Sequence, residues 1–301
     1  MINTLLDDPQ FSDSAPALAL RSKPLGFIDI GARGGIHSVI EPIARATAVL
    51  GFEPDETECV RMRANQHELP WAKFDLEPCA LAGSKGPHAF HILARPVNSS
   101  LLKPNASLAK RYQIDGFKID REVIVHAQTL DDVLFSNRRE QDYWGEFIKL
   151  DAQGAELDIL RGATRTLAER TVAAIIEVEF CTLYENQPLF SEVESFMRES
   201  DFTFFGFSAM SYRSGHLRHV IGKGGQRWRE RLIHADAVFF KDPLAEGAPK
   251  FTIRAQHVLF VSAMLLGYYD LALEVALDSW AVGQEAERIQ GLVTKYAQES
   301  Q

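Results

Sequence analysis

Four short apolar runs constrain this chain more than any other feature: LGFIDI (25–30), TAVLGFE (47–53), EFIKLD (146–151) and TVAAIIEVEF (171–180). Each has strand length and an apolar core, the pattern of a strand buried in a sheet, although the third carries charges at Glu146, Lys149 and Asp151. The first two flank a segment long enough for one helix. The last two flank GAELDILRGATRTLAER, in which Leu157, Leu160 and Leu167 fall on one helical face. Parallel neighbours need crossovers of that length, so the alternation predicts an α/β fold. PLFSEVESFMRES (188–200) repeats the helical pattern with Leu189, Val193, Phe196 and Met197, and HADAVFFK (234–241) reads as a late strand.

The remaining segments are less regular. Residues 83–145 form an irregular insertion in which PHAFHIL and REVIVHAQTL read as strands joined through a polar loop, NSSLLKPNAS. Such a loop suits a lid or a substrate wall. Residues 1–24 carry Ser, Pro and Asp and read as a flexible leader, with acids where a secretory signal needs bases. The main domain is expected over 25–245. From 251 to 301 the composition turns helical, with a turn at Gly267, and predicts a helical hairpin reminiscent of one tetratricopeptide-type repeat. This appendage is expected to pack on the main domain or to pair two copies of the chain.

Acids outnumber bases, 41 to 32, for a formal charge of -9. Such a surface repels a phosphate backbone, which argues against nucleic acid as a partner. The basic stretch RWRERL (227–232) reads as a solvated helix face. No apolar run has membrane-spanning length. The three cysteines, Cys59, Cys79 and Cys181, lack metal-ligand spacing and are expected to be reduced, in a cytoplasmic protein.

The stretch FIDIGARGG (27–35) places a glycine turn directly after the first strand. A dinucleotide fingerprint wants G-x-G-x-x-G, but Arg33 holds the middle position and Gly35 falls one residue early. The Gly-Lys-Ser/Thr ending of a triphosphate loop is also missing. Asp29, just before the turn, repels phosphate and favours an ammonium. Glu53 ends the second strand, where a carboxylate accepts hydrogen bonds from both ribose hydroxyls. Two acids so placed suit a nucleoside bearing a cationic amino acid, such as S-adenosylmethionine. The structural alternative is a helix-capping glycine turn with two solvated acids.

FIDIGARGG, GFEPD, CALAG, TLDDVL and above all FIKLDAQGAELDILRGA (147–163) resemble the FkbM-like S-adenosylmethionine-dependent methyltransferases, and IIEVEF with LYENQPLFSEVESFM is similar to them too. The resemblance covers about residues 25–241. It implies a Rossmann-like class I methyltransferase fold with a mostly parallel seven-stranded sheet, the last strand antiparallel. It also implies methyl transfer, most often to a hydroxyl of a sugar or natural product. On this reading Asp29, Gly31, Ala32, Arg33 and Gly35 hold the methionine part of the cofactor, Glu53 and Pro54 the ribose, and Ala80 and Leu81 border the adenine. Two departures stand out: Arg33 where the family commonly has Asn, and Gln153 where it commonly has Glu.

A second group of acids gathers near the ends of the later strands. Asp151 ends an apolar strand, Glu156 opens the next helix, and Glu177 and Glu179 end the neighbouring strand. These carboxyl ends share one crevice in an open α/β sheet. Asp151 is the first choice as general base toward an acceptor hydroxyl. Glu156, Glu177 and His37 are further catalytic candidates. A divalent cation held by the same oxygens is a less favoured role, because no histidine spacing supports it. Structurally, Glu156 also suits a helix N-terminus, and His37 suits a capping position. Ser99 and Ser100 are candidate substrate contacts that ordinary turn chemistry explains as well. Two rival readings are a nicotinamide-dependent oxidoreductase on a similar sheet and a cofactor-binding interaction module with vestigial catalysis.

Overall fold

A computed structural model of the chain describes residues 2–65, 70–136, 142–224, 228–248 and 250–300. Two short helices, α1 (Pro9–Ser12) and α2 (Ala15–Ser22), precede strand β1 (Leu25–Ile30). A 3-10 helix (Ser38–Ala46) leads into β2 (Thr47–Phe52), followed by α3 (Glu56–Asn65) and β3 (Lys73–Glu77). The insertion supplies β4 (Gly86–Leu93), α4 (Ala106–Tyr112) and β5 (Ile119–Ala127). Then come β6 (Phe147–Leu150), α5 (Glu156–Arg161), α6 (Thr164–Glu169), β7 (Ala173–Glu179) and α7 (Phe190–Glu199). The chain closes with β8 (Thr203–Arg213), α8 (Leu217–Ile221), β9 (Arg231–Phe240), α9 (Ile253–Leu265), α10 (Tyr269–Ser279) and α11 (Gln284–Glu299).

Among the described residues, seven strands form one sheet in the order β3-β2-β1-β6-β7-β9-β8. The pairs β1–β2, β1–β6, β2–β3 and β6–β7 are parallel, while β9 runs antiparallel to β7 and β8. The expected sheet is therefore present, with its last strand antiparallel. Strands β4 and β5 form a separate antiparallel ribbon. Alternate side chains divide between two cores. Phe27, Val49, Phe147, Ile175 and Val238 face one side. Ile28, Leu50, Ile148, Ile176 and Phe239 face the other, under α5, α6 and α7. Burial on both faces explains why these strands read as continuous apolar runs.

Three expectations are corrected. Residues 9–22 are not a loose leader: they are helical, and Phe11, Ala17 and Leu20 are buried against the C-terminal helices. The C-terminal segment is three helices rather than a hairpin, and α9 is buried directly on the sheet. The physical reason is the first crossover. Its short 3-10 helix, kinked at Ile43, shares that face with the terminal helices: Ile40 and Ile43 lie in one core with Val258, Leu259, Phe260 and Val261 of α9. Arg254 ties this layer down through two hydrogen bonds to Glu146, at 2.8 and 2.7 Å, and others to the carbonyls of Lys23 and Pro24. Finally, residues 154–170 are two helices rather than one. At the break, a Cβ on Gly162 would lie 2.5 Å from the Ala82 carbonyl, so the chain bends where the backbones touch. Leu157, Leu160 and Leu167 are all buried, as their spacing predicts. The basic stretch is not a helix face: residues 228–230 are not helical and Arg231 and Leu232 open β9, while Arg227 lies outside the described residues.

Candidate active site

Strands β1, β2 and β6 end side by side, with Ile30 paired to both Phe52 and Leu150. The loops that follow them therefore meet at one edge. Gly31 has a φ of +81°, and a Cβ there would lie 1.8 Å from the Asp151 carbonyl, so only glycine lets the two loops touch. The Gly31 and Ala32 amides donate to the Phe52 carbonyl. With residues 96–99 of the insertion these loops enclose a cavity of about 280 Å³. Gly31, Arg33, Glu53, Pro54, Ala80 and Leu81 line it. So do Ser99 and Asp151.

Glu53 is buried, and its Oε1 accepts from the Asp55 amide at 2.9 Å. Arg33 reaches the same oxygen at 3.4 Å and pairs with Asp55 at 2.6 Å. Burial pushes the Glu53 carboxyl above the ordinary range, against the pull of that amide and of Arg33. Arg33 is thus a brace for the acid rather than a missing glycine. Among the described residues no hydrogen bond reaches Glu53 Oε2, which leaves one acceptor for a ligand. Asp29 is held differently from the expectation. One oxygen accepts from the His37 amide at 2.8 Å, and the other lies 3.6 Å from Lys149 Nζ. It is 1% exposed, so it shapes the turn from beneath rather than from the cavity wall. Ala32 packs against Cys59 and Met62, and Gly35 carries a φ of +131° with open space around it.

Lys149 is a site residue whose only sequence signal is a charge within an apolar strand. It sits in FIKLD, two residues before Asp151 and therefore on the same side of the strand. Its Nζ lies 3.4 Å from Asp151 Oδ2, and register places it opposite Asp29. Burial opposes ionisation of Asp151, but Lys149 and a hydrogen bond from Gln153 outweigh it and hold the carboxyl below its usual range. Burial also opposes the Lys149 charge, and Asp29 and Asp151 reverse that effect, keeping the ammonium charged. The Asp151 side chain remains 32% exposed, open to the cavity.

Gln153 occupies the left-handed region, with φ +55°. Its Nε2 donates to Asp151 Oδ1 at 2.8 Å and to Glu177 Oε2 at 2.9 Å. Its Oε1 lies 2.9 Å from the Tyr184 hydroxyl. The Ser100 hydroxyl donates to the Gln153 carbonyl at 2.7 Å. The amide thus does what a glutamate could not: it donates to two carboxylates at once.

Asp151, Glu156 and Glu177 offer oxygens within 4.8 Å of one another. Glu156 Oε1 accepts from the Ala152 and Gly154 amides at 2.8 and 3.1 Å, so it braces the turn. Burial, with Asp151 nearby, lifts its carboxyl to about 7 despite those amides. Glu177 is likewise raised well above its ordinary value, first by burial and then by Asp151, and its Oε1 lies 2.9 Å from His234 Nδ1. Glu179 is raised by burial and by Glu156, and among the described residues no hydrogen bond reaches its Oε1. Within this acidic cluster Asp151, the member that faces the cavity, is held toward its ionised form, while burial draws Glu156, Glu177 and Glu179 toward their protonated forms. His37 caps the 3-10 helix, its Nδ1 accepting from the Val39 amide at 3.3 Å. Ser99 lines the cavity, while Ser100 is buried and committed to Gln153.

A sequence model of the FkbM methyltransferase domain matches residues 29–204. No curated protein matches the chain. Among solved structures, the FkbM methyltransferase of Methylobacillus flagellatus KT is similar at 14% identity and a TM-score of 0.39, over 72% of this chain. This chain spans 43% of that protein's length. Magnesium protoporphyrin IX methyltransferase of Synechocystis PCC 6803, solved with bound SAM, is similar at 10% identity and a TM-score of 0.33. That match covers 77% of this chain and 79% of the other. The domain match takes in the glycine turn, Glu53 and the Asp151–Glu177 constellation, and covers more than half of the sequence: the chain belongs to the FkbM methyltransferase domain family.

Proposed function

We propose that this protein transfers a methyl group from S-adenosylmethionine to a hydroxyl of a sugar, glycan or natural product. The cavity's donor set fits that cofactor. Glu53 leaves one carboxylate oxygen for the ribose, Ala80 and Leu81 offer an apolar wall for the adenine, and Gly31 permits close approach of the methionine part. Its volume of about 280 Å³ is close to the low end for small-molecule sites, about 300 Å³. When bound, the cofactor supplies an electrophilic methyl on a sulfonium sulfur.

The residues of the chain supply position and a proton acceptor. Asp151 faces the same cavity as Glu53 and is kept ionised by Lys149, and this is the observation that carries the proposal. It is placed to take the proton of the acceptor hydroxyl as that oxygen is methylated; the methyl would come from the cofactor bound beside Glu53, leaving a neutral thioether. Gln153 fixes the orientation of Asp151, and residues 96–99 shield the reacting atoms from water. Among the described residues no helix is long and apolar enough to cross a membrane. The three free cysteines are consistent with a cytoplasmic setting, which we also propose.

The test is incubation of the protein with methyl-labelled S-adenosylmethionine and cell fractions of glycans and small molecules. A methyl ether should carry the label. Label confined to nitrogen or carbon acceptors contradicts hydroxyl transfer.

A further inference from the structure

A second, smaller cavity of about 130 Å³ adjoins the first, and Asn98 and Gln153 line both. Its walls bring Arg95, just after β4, together with Arg213, at the end of β8, beside the apolar Phe117 and Leu183. Among the described residues neither guanidinium makes an ion pair or hydrogen bond. Arg33, Arg218 and Arg254, by contrast, are each paired with a carboxylate. Arg95 is seated by its backbone: its amide donates to the Gly116 carbonyl at 3.2 Å, and a Cβ on Gly116 would lie 2.3 Å from Arg95 Cβ. Gly116 holds a φ of +75°, so the turn at 116 makes room for this arginine.

Two unpaired cations converging on one concavity repel each other, and the partly buried one, Arg213, also resists desolvation. Burial, Arg218 and Arg95 each weaken the proton affinity of Arg213, with Glu230 and Asp115 opposing. The acidic residue on the wall of the second cavity, Glu177, is drawn toward its protonated form by burial, and burial likewise favours the neutral form of His234. The small cavity is therefore positive, in a chain whose formal charge is -9. An arginine pair of this kind suits an oxyanion, which guanidinium groups bind in bidentate fashion.

We propose that the second cavity is the acceptor site, and that Arg95 and Arg213 select an acceptor whose reactive hydroxyl lies close to an oxyanion, a carboxylate or a phosphate. The inference rests on the methyl-transfer reading. The anionic end of the acceptor sits between the two arginines. Its hydroxyl passes Asn98 and Gln153, the residues common to both cavities, and reaches Asp151 in the first. The family match assigns no such preference.

The test uses the full chain saturated with S-adenosylhomocysteine. Glucuronate, glucose 6-phosphate and glucose are titrated by calorimetry. At least one of the two anionic sugars should bind tenfold or more tightly than glucose, with an advantage that shrinks as salt rises. Which of them binds separates a carboxylate from a phosphate acceptor. Arg95→Gln and Arg213→Gln should each reduce that advantage severalfold, and the double variant should abolish it, with S-adenosylhomocysteine affinity unchanged. Equal binding of the three sugars, binding by none, or a preference that survives the double variant overturns the proposal. If S-adenosylhomocysteine fails to bind while the anion preference persists in its absence, the methyl-transfer reading falls and the arginine site stands.

Discussion

Replacing Lys149 by Met tests the electrostatics of the site from below. Lys149 Nζ lies 3.6 Å from Asp29 and 3.4 Å from Asp151. At an effective dielectric constant of about 20, each contact is worth roughly 5 kcal/mol of Coulomb attraction. Burying the ammonium cancels part of this, and breaking a buried pair costs about 3–5 kcal/mol net. Lys149→Met should therefore lower unfolding stability by about that amount at neutral pH, measured by urea denaturation. The same change has a sign in pH. Lys149 helps hold Asp151 below its usual range, so the stability from ionised Asp151 is present above the ordinary aspartate range and lost as pH falls through its depressed folded value. Without Lys149, the Asp151 carboxyl binds its proton more readily. The acid limb of the kcat/KM profile should move to higher pH, since the base must be ionised to act. A variant within about 0.5 kcal/mol of wild type, the range of a neutral surface change, with an unmoved acid limb refutes the reasoning.

Asp151→Asn keeps the side-chain shape and removes the charge: cofactor affinity should stay near wild type while turnover drops about a hundredfold, the usual scale for a lost general base. Full turnover would remove Asp151 from the chemistry. A chelator should leave activity unchanged, because the Gln153 amide already bridges Asp151 and Glu177; loss of activity restored by magnesium would assign the acids to a cation. Arg254→Ala strands the buried Glu146 carboxylate and should destabilise the fold by about 3 kcal/mol, the low end for breaking a buried pair because Arg254 keeps 21% exposure. An unchanged urea midpoint would show that the C-terminal layer is held by apolar packing alone.

What was legible in the sequence follows from burial. β1, β2, β6, β7 and β9 lie in the middle of the sheet or next to it, and their apolar runs announce them. The edge strands do not announce themselves so clearly. β3 is only KFDLE, and β8 carries three register shifts with Met210 and Tyr212 exposed, so neither shows a clean run. The terminal helices are apolar, and the sequence showed that much. That they share one core with β1 and β2 is a long-range contact, which local periodicity does not report. Asp151 and Glu53 were legible because an acid that ends an apolar strand needs partners. Lys149 carries the same signal, a charge inside FIKLD, but its partners Asp29 and Asp151 are set by strand pairing and the following turn rather than by local pattern. Arg95 and Arg213 lie far apart in sequence and meet only through the fold.

Titration of S-adenosylhomocysteine into the wild-type chain and into Glu53→Ala, by calorimetry, tests the central claim most directly. On the proposed reading the free Glu53 oxygen accepts from the ribose, and charge-assisted hydrogen bonds are worth roughly 1.5–3 kcal/mol each. The account predicts one molecule bound per chain, an affinity at least tenfold weaker in Glu53→Ala with the urea midpoint retained, and weak or no binding of nicotinamide dinucleotides. Equal affinity in the two proteins, or tighter binding of the dinucleotide, would contradict it.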